Sequence, residues 1–159
     1  MHKYEELSPD SRVWIYQSNR IFEDQEVSEI DAILADFCSQ WAAHGQELKA
    51  FGKVYFNIFV VLMVDESQAG ASGCSIDSSV GVVRKLMDQY KVDLLDRMIF
   101  SYRKADDIEL VNRTDFEKLF ASGDITNSTI VFNNLVKNKS EFESQWQIAL
   151  EESWHKQMV

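Results

Sequence analysis

Three carboxylates are the first candidates for chemistry in this sequence. Asp65 and Glu66 directly follow a run of seven apolar residues, 58–64, and Asp77 stands shortly downstream. Carboxylate oxygens are the ligands that hard cations such as magnesium prefer. If the three side chains meet, the sequence predicts a metal-assisted hydrolase. The alternative is structural, because Asp65 and Asp77 would also suit the capping of nearby backbone N–H groups.

The segment between these carboxylates is rich in serine and glycine, a composition suited to cradling an anion. A helix is predicted from about Ile76 to Tyr90, and its positive N-terminal end would face the same loop. Two features argue against an anion site. No lysine or arginine occurs between Asp65 and Gly81, and Asp77 is predicted to lie in the first helical turn, where its carboxylate would already use the positive potential. The alternative is a self-capping turn that binds nothing. The candidate ligand-binding residues are Asp65, Glu66, Ser67, Ser72, Gly73, Cys74, Ser75 and Ser78.

Cys74 is also a candidate nucleophile, because thiols near helix N-termini are often activated. A thiol enzyme would additionally need a base such as histidine. The histidines of the chain are His2, His44 and His155, and their spacing shows no recognisable pairing with Cys74. We therefore predict that Cys74 is a small buried loop residue. Both it and Cys38 are expected to be reduced thiols.

The order of the predicted elements indicates an α+β fold. Between residues 12 and 103 the pattern predicts strand, helix, strand, strand, helix, strand, which is the order of a ferredoxin-like βαββαβ core. The first and third predicted strands, 12–16 and 58–64, are the most continuously apolar, which fits their central place in such a sheet. The fourth is predicted at 98–103. Residues 104–159 are expected to add a C-terminal βαβα extension within a single domain, 1–159.

The third predicted strand is apolar on both sides, whereas a ferredoxin-like sheet leaves one of its faces open. That face must therefore be covered. The sequence leaves two covers open, namely residues 114–159 of the same chain or a second subunit in a homodimer.

The charge balance argues against a nucleic-acid partner. The chain has 159 residues with a formal net charge of −10, whereas binding to phosphate backbones needs clustered lysine and arginine. The charged first residues lack the apolar stretch of a signal peptide, and no apolar run is long enough to span a bilayer. We expect a cytoplasmic protein with no membrane partner and with a small molecule as its candidate ligand.

Four segments carry a resemblance to a known family. They are VWIYQSNR at 13–20, VDESQAGASGCSIDSSV at 64–80, DLLDRMIFSYR at 93–103 and TIVFNNLVKNKSEFESQW at 129–146. Over nearly the whole chain the sequence resembles a small bacterial family whose members are often labelled "ABC transporter ATPase". The resemblance carries over no catalytic residues.

The label of that family implies ATP hydrolysis, which uses a phosphate loop of the form GxxxxGK followed by serine or threonine. The nearest approach in this chain runs from Gly45 to Val54. Six residues separate Gly45 from Gly52, and Val54 stands where the loop needs a hydroxyl residue. The chain therefore lacks the motif.

The leading functional hypothesis is a non-catalytic ligand-binding or regulatory protein that uses the 65–78 loop. It rests on a specific polar loop that lacks a nucleophile–base pair. One alternative is the metal-assisted hydrolase with Asp65, Glu66 and Asp77. The other is a structural or oligomeric interaction protein, in which the loop is only a rigid connection. The sequence identifies no cofactor and does not decide whether the protein is an enzyme.

Overall fold

The computed structural model describes every residue from Met1 to Val159 and shows a mixed α+β protein with antiparallel sheets. The chain divides into two compact units, the first formed by Met1–Leu95 with Lys137–Ser140 and the second by Asp96–Val136 with Glu141–Val159. The strands and α-helices are β1 (Arg12–Gln17), α1 (Asp24–Gln40), β2 (Ala42–Ala43), β3 (Gln46–Glu47), β4 (Lys49–Tyr55), β5 (Phe59–Asp65), α2 (Gly73–Tyr90), β6 (Ile99–Lys104), β7 (Asp107–Asn112), α3 (Arg113–Ser122), β8 (Ile130–Phe132), α4 (Lys139–Gln145) and β9 (Gln147–Ala149).

The first unit is built on a three-stranded antiparallel sheet with the order β1-β5-β4. All seven residues of β5 are buried, which explains why this strand is apolar without alternation. One face of the sheet packs with α1 and α2 in a core that includes Leu34, Leu62 and Val83. Gly52 permits this packing, because a Cβ atom there would lie 2.9 Å from Leu62 Cδ2 and 3.2 Å from Cys38 Sγ.

The opposite face of this sheet is also buried. Phe59, Val61 and Met63 each have 0% exposure in the single chain, so the prediction of a covered face is confirmed without a second subunit. Within the first unit, the N-terminal segment contributes to this cover, because the ring of Tyr4 meets that of Phe51 at 5.7 Å. Lys139 holds that segment in place, since its Nζ donates to the Tyr4 and Leu7 carbonyls, each at 2.9 Å.

The complete ferredoxin-like sheet is not confirmed. The order β1-β5-β4 is the expected order of its first, third and second strands, but the fourth predicted strand, now β6, belongs to a different sheet. The edge of β1 where it would have paired is taken by the segment that leads into α4. There Val13 N donates to Lys137 O at 3.0 Å, and Lys139 N donates to Ser11 O at 2.9 Å. The α+β class holds, and the predicted topology is right only for the first three strands.

The second unit has a four-stranded antiparallel sheet with the order β7-β6-β8-β9. β6 and β7 form a hairpin around a two-residue turn, Ala105 and Asp106. A separate apolar core contains Phe100, Phe116 and Leu150. None of the helices in the chain combines the length and the apolar character that crossing a bilayer requires.

Candidate functional site

The predicted loop is shorter than expected because α2 begins at Gly73, three residues before the predicted start. Two serines form its cap. Ser75 N donates to Ser72 Oγ at 3.2 Å, and Ser72 N donates to Ser75 Oγ at 2.7 Å. This is a reciprocal capping box in which serine replaces the usual glutamate or glutamine. The first turn of α2 therefore contains Gly73, Cys74 and Ser75.

The cap leaves two backbone donors free at the helix start. An α-helix has four N–H groups without an intrahelical acceptor at its N-terminus. Ser72 Oγ takes the amide of Ser75, while the amides of Gly73 and Cys74 have no acceptor within the chain. Asp77 is the fifth residue of the helix and therefore lies beyond its first turn, contrary to the prediction. The positive end of the helix dipole is not neutralised by that carboxylate.

A cleft of about 630 Å³ opens at this helix start. Its far wall is the β2–β3 hairpin, whose turn at His44 and Gly45 has φ of 51° and 79°. The hairpin follows Trp41, whose Nε1 donates to Ser75 O at 2.8 Å and so anchors the hairpin beside α2. The lining residues are small or polar: Ala42, Ala43, His44, Ser72, Gly73, Cys74, Ser75 and Ser78.

The structure therefore brings together five of the eight predicted ligand-binding residues: Ser72, Gly73, Cys74, Ser75 and Ser78. Ser78 Oγ is partly engaged, because it donates to Cys74 O at 3.0 Å. The sequence did not predict that Ala42, Ala43 and His44 line the cleft. The signal is weak, since a glycine after His44 also suits the end of a helix, whereas α1 ends at Gln40 and Gly45 completes a hairpin turn.

Asp65 does not line the cleft. It is 2% exposed and accepts hydrogen bonds from the amides of Ser8 and Ser67, each at 3.0 Å, with Lys49 Nζ 3.7 Å away. Burial raises the pKa of its carboxyl, but the hydrogen bonds from Ser67 and Ser8 and the charge of Lys49 outweigh burial and lower that pKa to about 2. Asp65 thus has the predicted structural role of capping backbone donors.

Glu66 and Ser67 are also absent from the cleft lining. Glu66 Oε2 accepts the amide of Ala71 at 2.9 Å, and Glu66 Oε1 lies 3.6 Å from Arg12 Nε. These contacts close the short loop between β5 and α2. Together with Asp65, Glu66 and Ser67 support the shape of the loop and contribute nothing to the cleft surface.

The predicted metal triad of Asp65, Glu66 and Asp77 is not formed. No three histidine, cysteine or acidic side chains of the chain come together in a group that could hold a metal ion. The physical reason is that Asp65 and Glu66 are committed to separate backbone amides, while Asp77 lies in the second turn of α2. The hydrolase hypothesis loses its ligand set.

The two cysteines differ from the prediction in one respect. Both are free thiols, as expected, but Cys74 is exposed and only Cys38 is buried. Desolvation raises the pKa of the Cys38 thiol to about 12. His44 lines the same cleft as Cys74, yet no hydrogen bond joins the two side chains, so the nucleophile–base pair of a thiol enzyme is not assembled.

A second groove of about 580 Å³ runs between α1 and α2 and shares Ala42 and Ser78 with the cleft. Its apolar lining includes Ile33, Phe37 and Val82. The cleft at the start of α2 therefore continues into a groove whose lining also includes charged residues, Asp36 and Lys85.

Comparison of the chain with protein-family models, with curated proteins and with solved structures finds no match. The resemblance to the family labelled "ABC transporter ATPase" therefore stays a prediction, and the site has to be interpreted from its own geometry.

Proposed function

We propose that this chain is a non-catalytic ligand-binding or regulatory protein whose site is the cleft between the β2–β3 hairpin and the first turn of α2. The observation that carries the proposal is that five of the predicted residues line one cleft at the N-terminus of a helix. Small side chains leave room for a ligand there, and two backbone amides are available to it.

The chemistry of the lining favours a small ligand with one anionic group. The amides of Gly73 and Cys74 and the positive end of α2 attract a carboxylate or a phosphate oxygen. No lysine or arginine lines the cleft, and the chain carries a net charge of −10. A triphosphate would need several cations, so a monocarboxylate or dicarboxylate fits this site better than a nucleotide does.

The absence of an assembled catalytic group supports binding over catalysis. The cleft contains one thiol and one imidazole that are not hydrogen-bonded to each other, and its hydroxyl groups cap or bond to the helix backbone. The two unpaired cysteines support a cytoplasmic setting for the protein.

The test is a thermal-shift screen of the full chain against acetate, succinate, citrate, inorganic phosphate, AMP and ATP. A ligand at 100 times its dissociation constant stabilises a protein by about 2.7 kcal/mol, which is readily measured. We expect a carboxylate to raise the melting temperature and the Gly73→Glu variant to lose that response. The new side chain meets no atom within 4 Å of its Cβ, and it places a negative charge where the ligand's anion would lie.

Gly81→Glu is the matched control. It introduces the same residue into the same helix, its Cβ also meets no atom within 4 Å, and Gly81 does not line the cleft. Both variants should fold, because replacing a helical glycine does not weaken a helix. Two results would contradict the proposed site. One is an equal loss of the ligand response in both variants, and the other is no response of the parent chain to any carboxylate or phosphate compound.

A further inference from the structure

The edges of the sheet in the first unit are occupied, as expected of a protein that avoids edge-to-edge association. On β4, Val54 N donates to Asp31 Oδ1 at 2.8 Å, and Ala50 O accepts His2 N at 3.2 Å. On β1, Val13 N donates to Lys137 O at 3.0 Å. These groups fill the positions that an added strand would use.

β7, in the second unit, is an edge without such cover. It pairs along all six residues with β6 and has no other strand partner. Lys104 and Asp107 close the two-residue turn as a hydrogen-bonded pair, so the alternation of an antiparallel ladder turns the backbone groups of Ile108 and Leu110 outward. No other segment of the chain hydrogen-bonds to them. The opposite edge strand, β9, has only three residues.

The side chains of β7 give this open edge a charge pattern. Asp107 and Glu109 are exposed and lie on one face of the strand, while Ile108 and Leu110 are half-buried on the other. Across the ladder, Asp107 is opposite Lys104, but Glu109 is opposite Tyr102 and has no cation beside it there. The strand contains neither lysine nor proline, the residues that most often block an edge.

We propose that the edge of β7 accepts an extended segment of a partner protein by strand addition, in which basic residues alternate with β-branched apolar residues. The outward backbone groups of Ile108 and Leu110 supply the ladder hydrogen bonds. Basic side chains of the partner lie beside Asp107 and Glu109, and apolar ones lie beside Ile108 and Leu110. A second copy of this chain fits less well, because antiparallel pairing of β7 with itself about Ile108 or Glu109 sets acidic side chains opposite each other.

The test uses the full chain and a fluorescein-labelled peptide with the core Lys-Val-Lys-Val-Lys-Val, read by fluorescence anisotropy. The comparison peptide has the same composition in blocks, Lys-Lys-Lys-Val-Val-Val. We expect saturable binding of the alternating peptide only. The double variant Asp107→Asn, Glu109→Gln should weaken that binding about threefold to tenfold, because two cross-strand charge pairs are lost.

The control for net charge is the double variant Glu151→Gln, Glu152→Gln, which removes two exposed acidic groups elsewhere in the second unit and should leave binding unchanged. Leu110→Pro removes one outward N–H that the added strand needs, and it should therefore abolish binding. The variant should still fold, because proline is tolerated on an edge strand where the N–H faces solvent. Hydrogen exchange of the Ile108 and Leu110 amides should slow with peptide. Four results would overturn the proposal. They are equal weakening of binding by the two charge variants, equal binding of the two peptides, no binding of either peptide, and dimerisation of the chain that Leu110→Pro disrupts.

Discussion

The surroundings of the two cysteine thiols provide a probe of the cleft at the scale of single residues. Cys74 is exposed and lines the cleft, whereas Cys38, on α1, lies at 3% exposure in the core. Thiolates react and neutral buried thiols do not, and burial raises the pKa of Cys38 to about 12. The accessible thiol of Cys74 can therefore report on the cleft, and the buried thiol of Cys38 serves as an unreactive reference.

We expect iodoacetamide at neutral pH to alkylate Cys74 and leave Cys38 unmodified in the folded chain. Peptide mapping by mass spectrometry gives the extent at each site. A carboxylate bound in the cleft should slow the alkylation of Cys74, and it should not do so in the Gly73→Glu variant. Alkylation of Cys38 at a comparable rate would contradict the burial of that thiol, and a Cys74 rate unaffected by a stabilising ligand would place the ligand elsewhere.

At the scale of the element, the sequence predicted the strands of the first unit well, because their signals are local. The continuous apolar run 58–64 predicts a strand that is buried on both faces, and the structure places β5 at Phe59–Asp65. The hairpin of β6 and β7 is local in the same way, since a two-residue turn brings its strands together.

The elements that form the candidate site were harder to predict. α2 begins three residues before its predicted start, because Ser75 completes the capping box in place of the glutamate that the pattern usually has. The β2–β3 hairpin consists of alanine, glutamine and glutamate residues that have little preference for strands. Its position depends on the hydrogen bond from Trp41 to Ser75, a contact between residues far apart in sequence. The serine and glycine half of the site was therefore predictable, and the His44 half was not.

At the scale of the whole molecule, the division into two units did not follow from the order of elements. The same order fits one ferredoxin-like sheet or two sheets, and the choice depends on what pairs with the free edge of β1. That partner is the segment around Asn138, which bridges to Arg12 from more than a hundred residues away in sequence. Contacts between residues so far apart carry no local signal.

The two units should also differ in their response to acid. His155 in the second unit is 1% exposed, lies among Phe100, Phe116 and Trp154, and pairs through Nδ1 with Ser153 Oγ at 2.7 Å. Desolvation lowers the pKa of its imidazole from 6.5 to about 4. Because the unfolded chain takes up this proton first, the free energy of unfolding falls as the pH drops from 6.5 to 4, by about 3 kcal/mol.

Chemical denaturation followed between pH 7 and pH 4 measures this loss. The double variant Ser153→Ala, His155→Phe keeps a ring in the core and leaves no hydroxyl without its partner, so its stability should depend less on pH in this window. His44→Asn, which changes an exposed histidine and suits the positive φ of that turn, should keep the parent slope. A slope that the double variant leaves unchanged would assign the acid sensitivity to other groups. In the first unit, Asp65 keeps its contribution to stability until the pH falls from 3.8 towards 2.

The most direct test of the central claim is a ¹⁵N-resolved NMR titration of the full chain with succinate and, separately, with inorganic phosphate. The claim is that the free amides at the start of α2 hold an anionic ligand. We predict saturable shifts of the Gly73 and Cys74 amide signals with at least one of the two anions, while the Gly81 and Gly123 amides, which lie outside the cleft, stay in place. Unchanged Gly73 and Cys74 signals at saturating concentrations of both anions would contradict the claim.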